Sequence, residues 1–406
     1  MINRRLYVRI WERLSKEKSM VFLAGPRQVG KTTLARIISR TFRNRFYCNY
    51  DIPEHRKWLI ENPSFFEAME RKDSSTPLII FDEIHKYRDW KNYLKGVYDA
   101  FHASYRFLVS GSGRLDIYRK GGDSLAGRYF LFHLWPFTVS ELGGKNRSFR
   151  EFVKNPLYMT MEENSKLKRI WERLAHLSGF PEPYASGKET TYNRWSNTYS
   201  QQLIREDIRD ITDIKSIGDL ETLYLLLPSK IGSPLSVTSL AEDMKAAYNT
   251  VQNWLSVFER FFMLFAISPW AKRIARAIHK EKKVYLFDTP RIKDPAARFE
   301  NMVAIELLRA VTLWNDAGYG RFSFHYIKNK EKQEVDFLIV REEEPFMLVE
   351  AKLAEKEPSF GLKKFQQMLN VPAVQLTNEG TTFRVFSNGP NKILVAPAYQ
   401  WLSFLP

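Results

Sequence analysis

The stretch GPRQVGKTT, from Gly25 to Thr33, limits this chain more than any other. It follows the apolar run Met20 to Ala24, which reads as a buried strand, and it precedes a helical pattern over 33–42. A glycine-rich turn between strand and helix lets backbone N–H groups curl around phosphate oxygens while the helix N-terminus faces the anion. Gly25, Gly30, Lys31 and Thr32 satisfy the GxxxxGK[ST] pattern, so Lys31 should reach the β and γ phosphates and Thr32 should ligate Mg2+. Thr33 completes the expected binding loop, and the implied cofactors are ATP and Mg2+.

Further apolar runs at 46–50, 78–81, 107–110 and 129–134 are separated by helix-length polar segments. Such alternation predicts a parallel sheet covered by helices, because parallel strands need crossover connections. One run, PLIIFDEIHK, ends in adjacent acids: Asp82 would hold the magnesium through water and Glu83 would activate the attacking water as general base. Another, RFLVSGSG, offers Ser110 or Ser112 to orient that water, though a Ser/Gly turn accounts for the same letters. These elements together resemble the AAA+ superfamily of P-loop ATPases. The resemblance implies that the strand carrying the polar sensor lies between the other two. GGDSLAGRYFLFHLWPFTVSEL resembles the segment that closes the core of one AAA+ subfamily, which makes Arg128 the candidate arginine finger with Arg114 in reserve. Gly179-Phe180-Pro181 resembles the glycine-x-proline motif of related ATPase lids, where Pro181 would sense the nucleotide; the same letters are common at helix ends.

Beyond the nucleotide motifs the expected order is a P-loop core over 1–145, a helical lid over 146–225, a winged helix-turn-helix over 226–282 and an α/β domain over 283–406. In the winged helix, Thr238 or Ser239 should cap the first helix with Glu242 following. The second helix should present Asn249, Gln252, Asn253 and Arg260, either to a DNA groove or, as in many winged helices, to nothing but packing partners. The net charge of +16 favours a polyanionic partner. Lys272, Arg273, Arg276, Lys280, Lys282 and Lys283 face one acid, Glu281, and would form a phosphate-contacting wing or a solvated basic loop.

In the last domain Glu300 on a helix, Asp336 near a strand start and Glu350-Ala351-Lys352 near the end of the next strand form a pattern used by metal-dependent phosphodiesterases. Two carboxylates on neighbouring strands hold a hard cation, Mg2+ or Mn2+, and Lys352 orients or deprotonates water. Glu306, on the same helix as Glu300, is an alternative ligand. Through GPRQVGKTT, FDEIHK, SLAGR, KKVYLFDT, FENMVAIEL and EVDFLIV…VEAK, nearly the whole chain resembles a prokaryotic family with an AAA+ core, a winged helix and a C-terminal restriction-endonuclease-like domain of unknown function.

The fold class expected is thus multidomain α/β. The function expected is an ATPase acting on DNA, duplex or branched, whose nucleotide state gates a nuclease-like domain; the alternative is a nucleotide-dependent switch whose C-terminal domain only binds a partner. A homo-oligomer is also expected. Cys48 is the only cysteine, which excludes an internal disulfide or a multi-cysteine metal site. No apolar run reaches the roughly 18 residues of a membrane span, so the expected location is the cytoplasm without a membrane partner.

Overall fold

The structure is a computed structural model that describes residues 4–111, 125–144, 147–160, 164–209, 216–271, 281–380 and 383–406. The chain divides into two compact units: one of residues 1–135 with 260–262, the other of 136–259 with 263–406.

In the first unit, β1 (Met20–Ala24), β2 (Arg45–Asn49), β3 (Leu78–Asp82), β4 (Arg106–Ser110) and β5 (Phe130–His133) form one sheet in the order β2-β3-β4-β1-β5. Every pairing is parallel. Parallel strands covered on both faces read as continuous apolar runs, and β1 and β3 are buried along their full length. The helices α2 (Lys31–Ser39), α3 (Pro53–Glu61) and α4 (Trp90–Phe101) supply crossovers, and α1 (Arg5–Glu17) precedes β1. An aromatic core that includes Phe22, Phe66, Phe81 and Phe107 fills one face. β4 lies between β1 and β3, as the AAA+ resemblance implies.

The second unit carries an eight-stranded mixed sheet, in the order β12-β13-β11-β10-β9-β8-β6-β7. Its members are β6 (Leu264–Pro269), β7 (Lys283–Leu286), β8 (Phe322–Lys328), β9 (Glu334–Arg341), β10 (Glu344–Lys352), β11 (Ala373–Thr377), β12 (Arg384–Asn388) and β13 (Asn391–Pro397). The helix Pro295–Asp316 begins at Asp294, whose carboxylate accepts from Ala297 N at 2.7 Å, and a proline follows in the first turn. Met302, Val303, Leu307, Ala310, Leu313 and Trp314 bury most of its circumference, as expected of a helix enclosed on several sides. Among the described residues between 136 and 260 the named elements are helices. Among the described residues no helix is long and apolar enough to cross a membrane.

One expectation needs correction here. The helix Val237–Asp243 is capped by Ser236, which accepts from Ser239 N, and not by Thr238 or Ser239. β6 pairs antiparallel with β7 and parallel with β8, so backbone pairing runs across the expected 282/283 boundary.

Candidate functional site

The P-loop is built by backbone geometry that only glycine tolerates. Gly25 has φ +142°, and a Cβ there would lie 2.1 Å from the Leu134 carbonyl oxygen. Gly30 caps α2 in the left-handed region. α2 therefore begins at Lys31 with its N-terminal N–H groups at the loop, the arrangement that receives phosphate. Lys31 is almost buried, its ammonium donating to Gly25 O at 2.9 Å and Pro26 O at 2.7 Å, so the positive charge stands over the loop. Thr33, on the first turn of α2, is exposed.

Asp82 ends β3 with three hydroxyls on its carboxylate. Thr32 Oγ1 donates to Oδ2 at 2.8 Å, Tyr47 Oη donates to the same oxygen at 2.7 Å, and Ser110 Oγ donates to Oδ1. Tyr47, which sequence reasoning missed, carries no motif and reaches Asp82 only because β2 lies beside β3. Burial and then the Asp82 charge push its phenol up to about 12, so it stays a proton donor. Ser110 is fully buried and orients Asp82. Ser112 and Arg114 lie outside the described residues.

Glu83 leaves the strand with φ +56°, its N–H donating to Ser110 O at 2.9 Å. Its carboxylate lies 3.6 Å from Lys86 Nζ and 3.6 Å from His85 Nε2, while Lys86 also holds Asp51 at 2.6 Å. Burial raises its pKa, Lys86 opposes this and Asp82 adds to it, the direction a general base needs. The donor set at Lys31, Thr32, Asp82 and Glu83 therefore fits a nucleotide with its magnesium.

Arg128 pairs with Asp99 of α4 through two nitrogens, at 2.7 and 3.1 Å. It lies just before Phe130, which is in register with Val21 near the start of β1. The P-loop follows the other end of β1, so Arg128 stands at the far end of the sheet from its own chain's phosphate loop. Pro181, in the second unit, opens the helix Pro181–Ser186 at its first turn. A Cβ on Gly179 would meet Phe137 O at 2.6 Å, and Phe137 N donates to Gly179 O at 2.7 Å, so close backbone packing explains that glycine.

The helix Tyr248–Arg260 buries Val251, Trp254, Val257 and Phe258 and exposes Asn249, Gln252, Asn253 and Arg260. Of the basic segment, Lys272, Arg273, Arg276 and Lys280 lie outside the described residues. Lys283 is not part of a basic surface: its side chain is 1% exposed and contacts Glu300 at 3.0 Å, Glu334 at 2.6 Å and Asp336 at 3.2 Å. Burial lowers its pKa, but the charges of Asp336, Glu300 and Glu334 outweigh that and hold the proton firmly.

The β9–β10 hairpin sets Val349 opposite Phe337, which carries Asp336 and Glu350 to the same end. Asp336 Oδ2 accepts from Ala351 N at 3.0 Å. Glu350 is pushed up to about 7, by burial first and the Asp336 charge second. Its oxygens are already engaged, Oε1 by Lys352 Nζ at 3.3 Å and Oε2 by Ser359 Oγ at 2.6 Å. Burial lowers the Lys352 pKa, yet Glu350 and Asp336 raise it overall, which suits a fixed cation and not a base. Among the described residues no three acidic, histidine or cysteine side chains converge as a set that would hold a metal ion. Of the expected metal ligands, Glu300 and Asp336 are paired with Lys283, and Glu350 with Lys352. Glu306 is no substitute, since it accepts from Val139 N at 2.5 Å and serves the start of the helix Val139–Gly143.

Asn301, the neighbour of Glu300, was also missed. Its side chain acts as an extra strand on the outer edge of β7, accepting from Leu286 N at 2.7 Å and donating to Leu286 O at 2.8 Å. Tyr285 Oη donates to Glu300 at 2.8 Å. These contacts fix the helix and β7 so that Glu300 and Lys283 meet.

Residues 17–143 match a family model described as an AAA domain. Residues 168–290 and 296–395 match two domains of unknown function, DUF8612 and DUF4143. The uncharacterized protein Rv2008c of Mycobacterium tuberculosis is 24% identical over 293 residues, covering 71% of this chain and 58% of that protein. The uncharacterized protein MJ1637 of Methanocaldococcus jannaschii is 24% identical over 315 residues, covering 68% and 62%. The chain thus spans about 60% of the length of these curated relatives. Among solved structures, the Walker-type ATPase PABY2304 of Pyrococcus abyssi is similar with a TM-score of 0.43 and 17% identity, covering 72% of this chain and 95% of that one. The Orc1 protein of Aeropyrum pernix, solved in complex with DNA, gives 0.35 and 11%, covering 75% and 93%. A segment that matches an AAA domain is thus followed by two that match domains of unknown function.

Proposed function

We propose that this protein binds ATP at the P-loop, hydrolyses it with Glu83 as general base, and uses the cycle on DNA. The observation that carries the reading is the meeting of Thr32, Tyr47 and Ser110 on Asp82, with Glu83 next in the chain and Lys31 over the loop. Magnesium held through Thr32 and Asp82 would neutralise phosphate charge. The amides that open α2 and the Lys31 ammonium would hold the β and γ phosphates, and Glu83 would take the proton of the attacking water. DNA as partner is supported by the net charge of +16 and by the exposed Asn249, Gln252, Asn253 and Arg260. An arginine finger at Arg128 would have to serve a second copy of the chain, since it stands far from its own P-loop.

For the C-terminal domain the favoured reading is the non-cleaving one, in which it binds nucleic acid or a protein partner while the nucleotide sets its state. The observation behind it is that Lys283 already neutralises Glu300 and Asp336, two of the carboxylates a nuclease would offer to metal. Comparing turnover of wild type and Glu83→Gln, each with and without duplex and branched DNA, tests the main reading. Glu83→Gln should bind ATP and lose hydrolysis by orders of magnitude. Wild-type turnover in that variant removes Glu83 as the base; turnover and nucleotide affinity indifferent to DNA, with no DNA binding, remove DNA as the partner.

A further inference from the structure

We infer that the Lys283 ammonium is the resident cation of the C-terminal carboxylate cluster, standing where Glu300 and Asp336 would otherwise require a divalent ion. The inference deepens the non-cleaving reading of this domain and rests on it. An ammonium has three N–H donors, and Lys283 Nζ has three carboxylate partners, at 2.6, 3.0 and 3.2 Å. No donor is left over, and the side chain is sealed from water. Each of the three carboxylates also takes a second donor. Glu300 Oε1 also takes the Tyr285 hydroxyl, Asp336 Oδ2 takes the Ala351 amide, and Glu334 Oε2 takes Lys328 at 2.9 Å. A metal would need these oxygens free and pointed at one centre, and binding it would mean expelling a buried lysine from three carboxylates. Breaking such a buried set leaves charges uncompensated, which folded proteins avoid.

The lysine is held there by the backbone. β7 carries it, the antiparallel partner β6 fixes the strand on one side, and the Asn301 amide fixes the other. With the backbone so fixed, burial and three carboxylate partners keep the Lys283 side chain from swinging away as a surface lysine does.

The test titrates Mn2+ into the nucleotide-free, chelator-treated full chain by calorimetry, using wild type, Asp336→Asn, Lys283→Met and the Lys283→Met/Asp336→Asn pair. Any ion taken by Thr32 and Asp82 contributes equally to all four, so differences report the C-terminal cluster. Wild type and Asp336→Asn should give the same heats. Lys283→Met should gain a saturable Mn2+ site that the added Asp336→Asn removes. A wild-type Mn2+ site that Asp336→Asn abolishes overturns the inference, and so does a folded Lys283→Met without a new site. Should Lys283→Met fail to fold, the comparison of wild type with Asp336→Asn decides alone. The reading beneath it is probed separately, by incubating duplex and branched DNA with wild type and Mn2+. Cleavage lost in Asp336→Asn sinks both ideas, whereas Mn2+ binding without cleavage sinks the resident lysine and leaves the non-cleaving domain standing.

Discussion

Replacing Asn301 with alanine should release the outer edge of β7. Asn301 and Leu286 are both wholly buried, so water cannot take over the two bonds to the Leu286 amide and carbonyl. The third bond, to Thr289 Oγ1 at 3.0 Å, is lost as well. An orphaned buried backbone group costs about 1–3 kcal/mol, so the N–H and C=O of Leu286 together come to roughly 4 kcal/mol. At about 1.4 kcal/mol per decade, local opening of β7 should become nearly a thousandfold easier. Hydrogen exchange at the Leu286 amide reads this directly and does not require the two units to unfold as one. Exchange should accelerate by two to three powers of ten, while amides of β1 in the other unit stay as they were. Unchanged protection at Leu286 in a folded Asn301→Ala protein would refute the claim that this side chain completes the ladder.

Two other outcomes follow from the geometry. Arg128→Ala should leave folding intact, because its pair with Asp99 is exposed, yet lower ATP turnover by about a thousandfold if the residue completes a neighbouring copy's site; equal turnover in the variant, or an equal loss in Asp99→Ala, argues against the finger. Burial, only partly offset by Arg309, pushes Glu306 up to about 7 from an ordinary 4.5. A folded value above the unfolded one means that the protonated form's stabilisation is fully present below about pH 4.5 and lost as pH rises through 7. Glu306→Gln, neutral throughout and still able to accept from Val139 N, should therefore gain up to roughly 3 kcal/mol over wild type above pH 7 and nothing near pH 4.5; melting curves at both pH values check the sign.

The nucleotide-binding unit was legible because each of its constraints is local. A parallel strand covered on both faces has to be apolar along its length, so the five runs read from the sequence fall on β1 to β5 within a residue or so. The phosphate loop likewise spells out its glycines. Lys283 shows why the rest was harder. Its neighbours in sequence are basic, and it reads as one more surface lysine, whereas its partners arrive from 17 and 53 residues downstream by way of a helix and another strand. Tyr47 and Asn301 are the same case: a lone polar residue carries no pattern until the neighbouring strand or helix is in place. The winged-helix cap slipped because SVTS offers three hydroxyls within four positions, and only the backbone turn selects Ser236.

The double pairing of β6 bears on how this protein can be taken apart. A cut at 282/283 that looks clean by composition would strip β6 from β7 and from the Ser268–His325 and Pro269–Tyr326 rungs of β8. Each fragment would then expose a fresh strand edge with unpaired amides and carbonyls, an invitation to self-association. Dissection therefore succeeds only where β6, β7 and β8 stay on one piece, and a soluble C-terminal fragment has to begin upstream of Leu264.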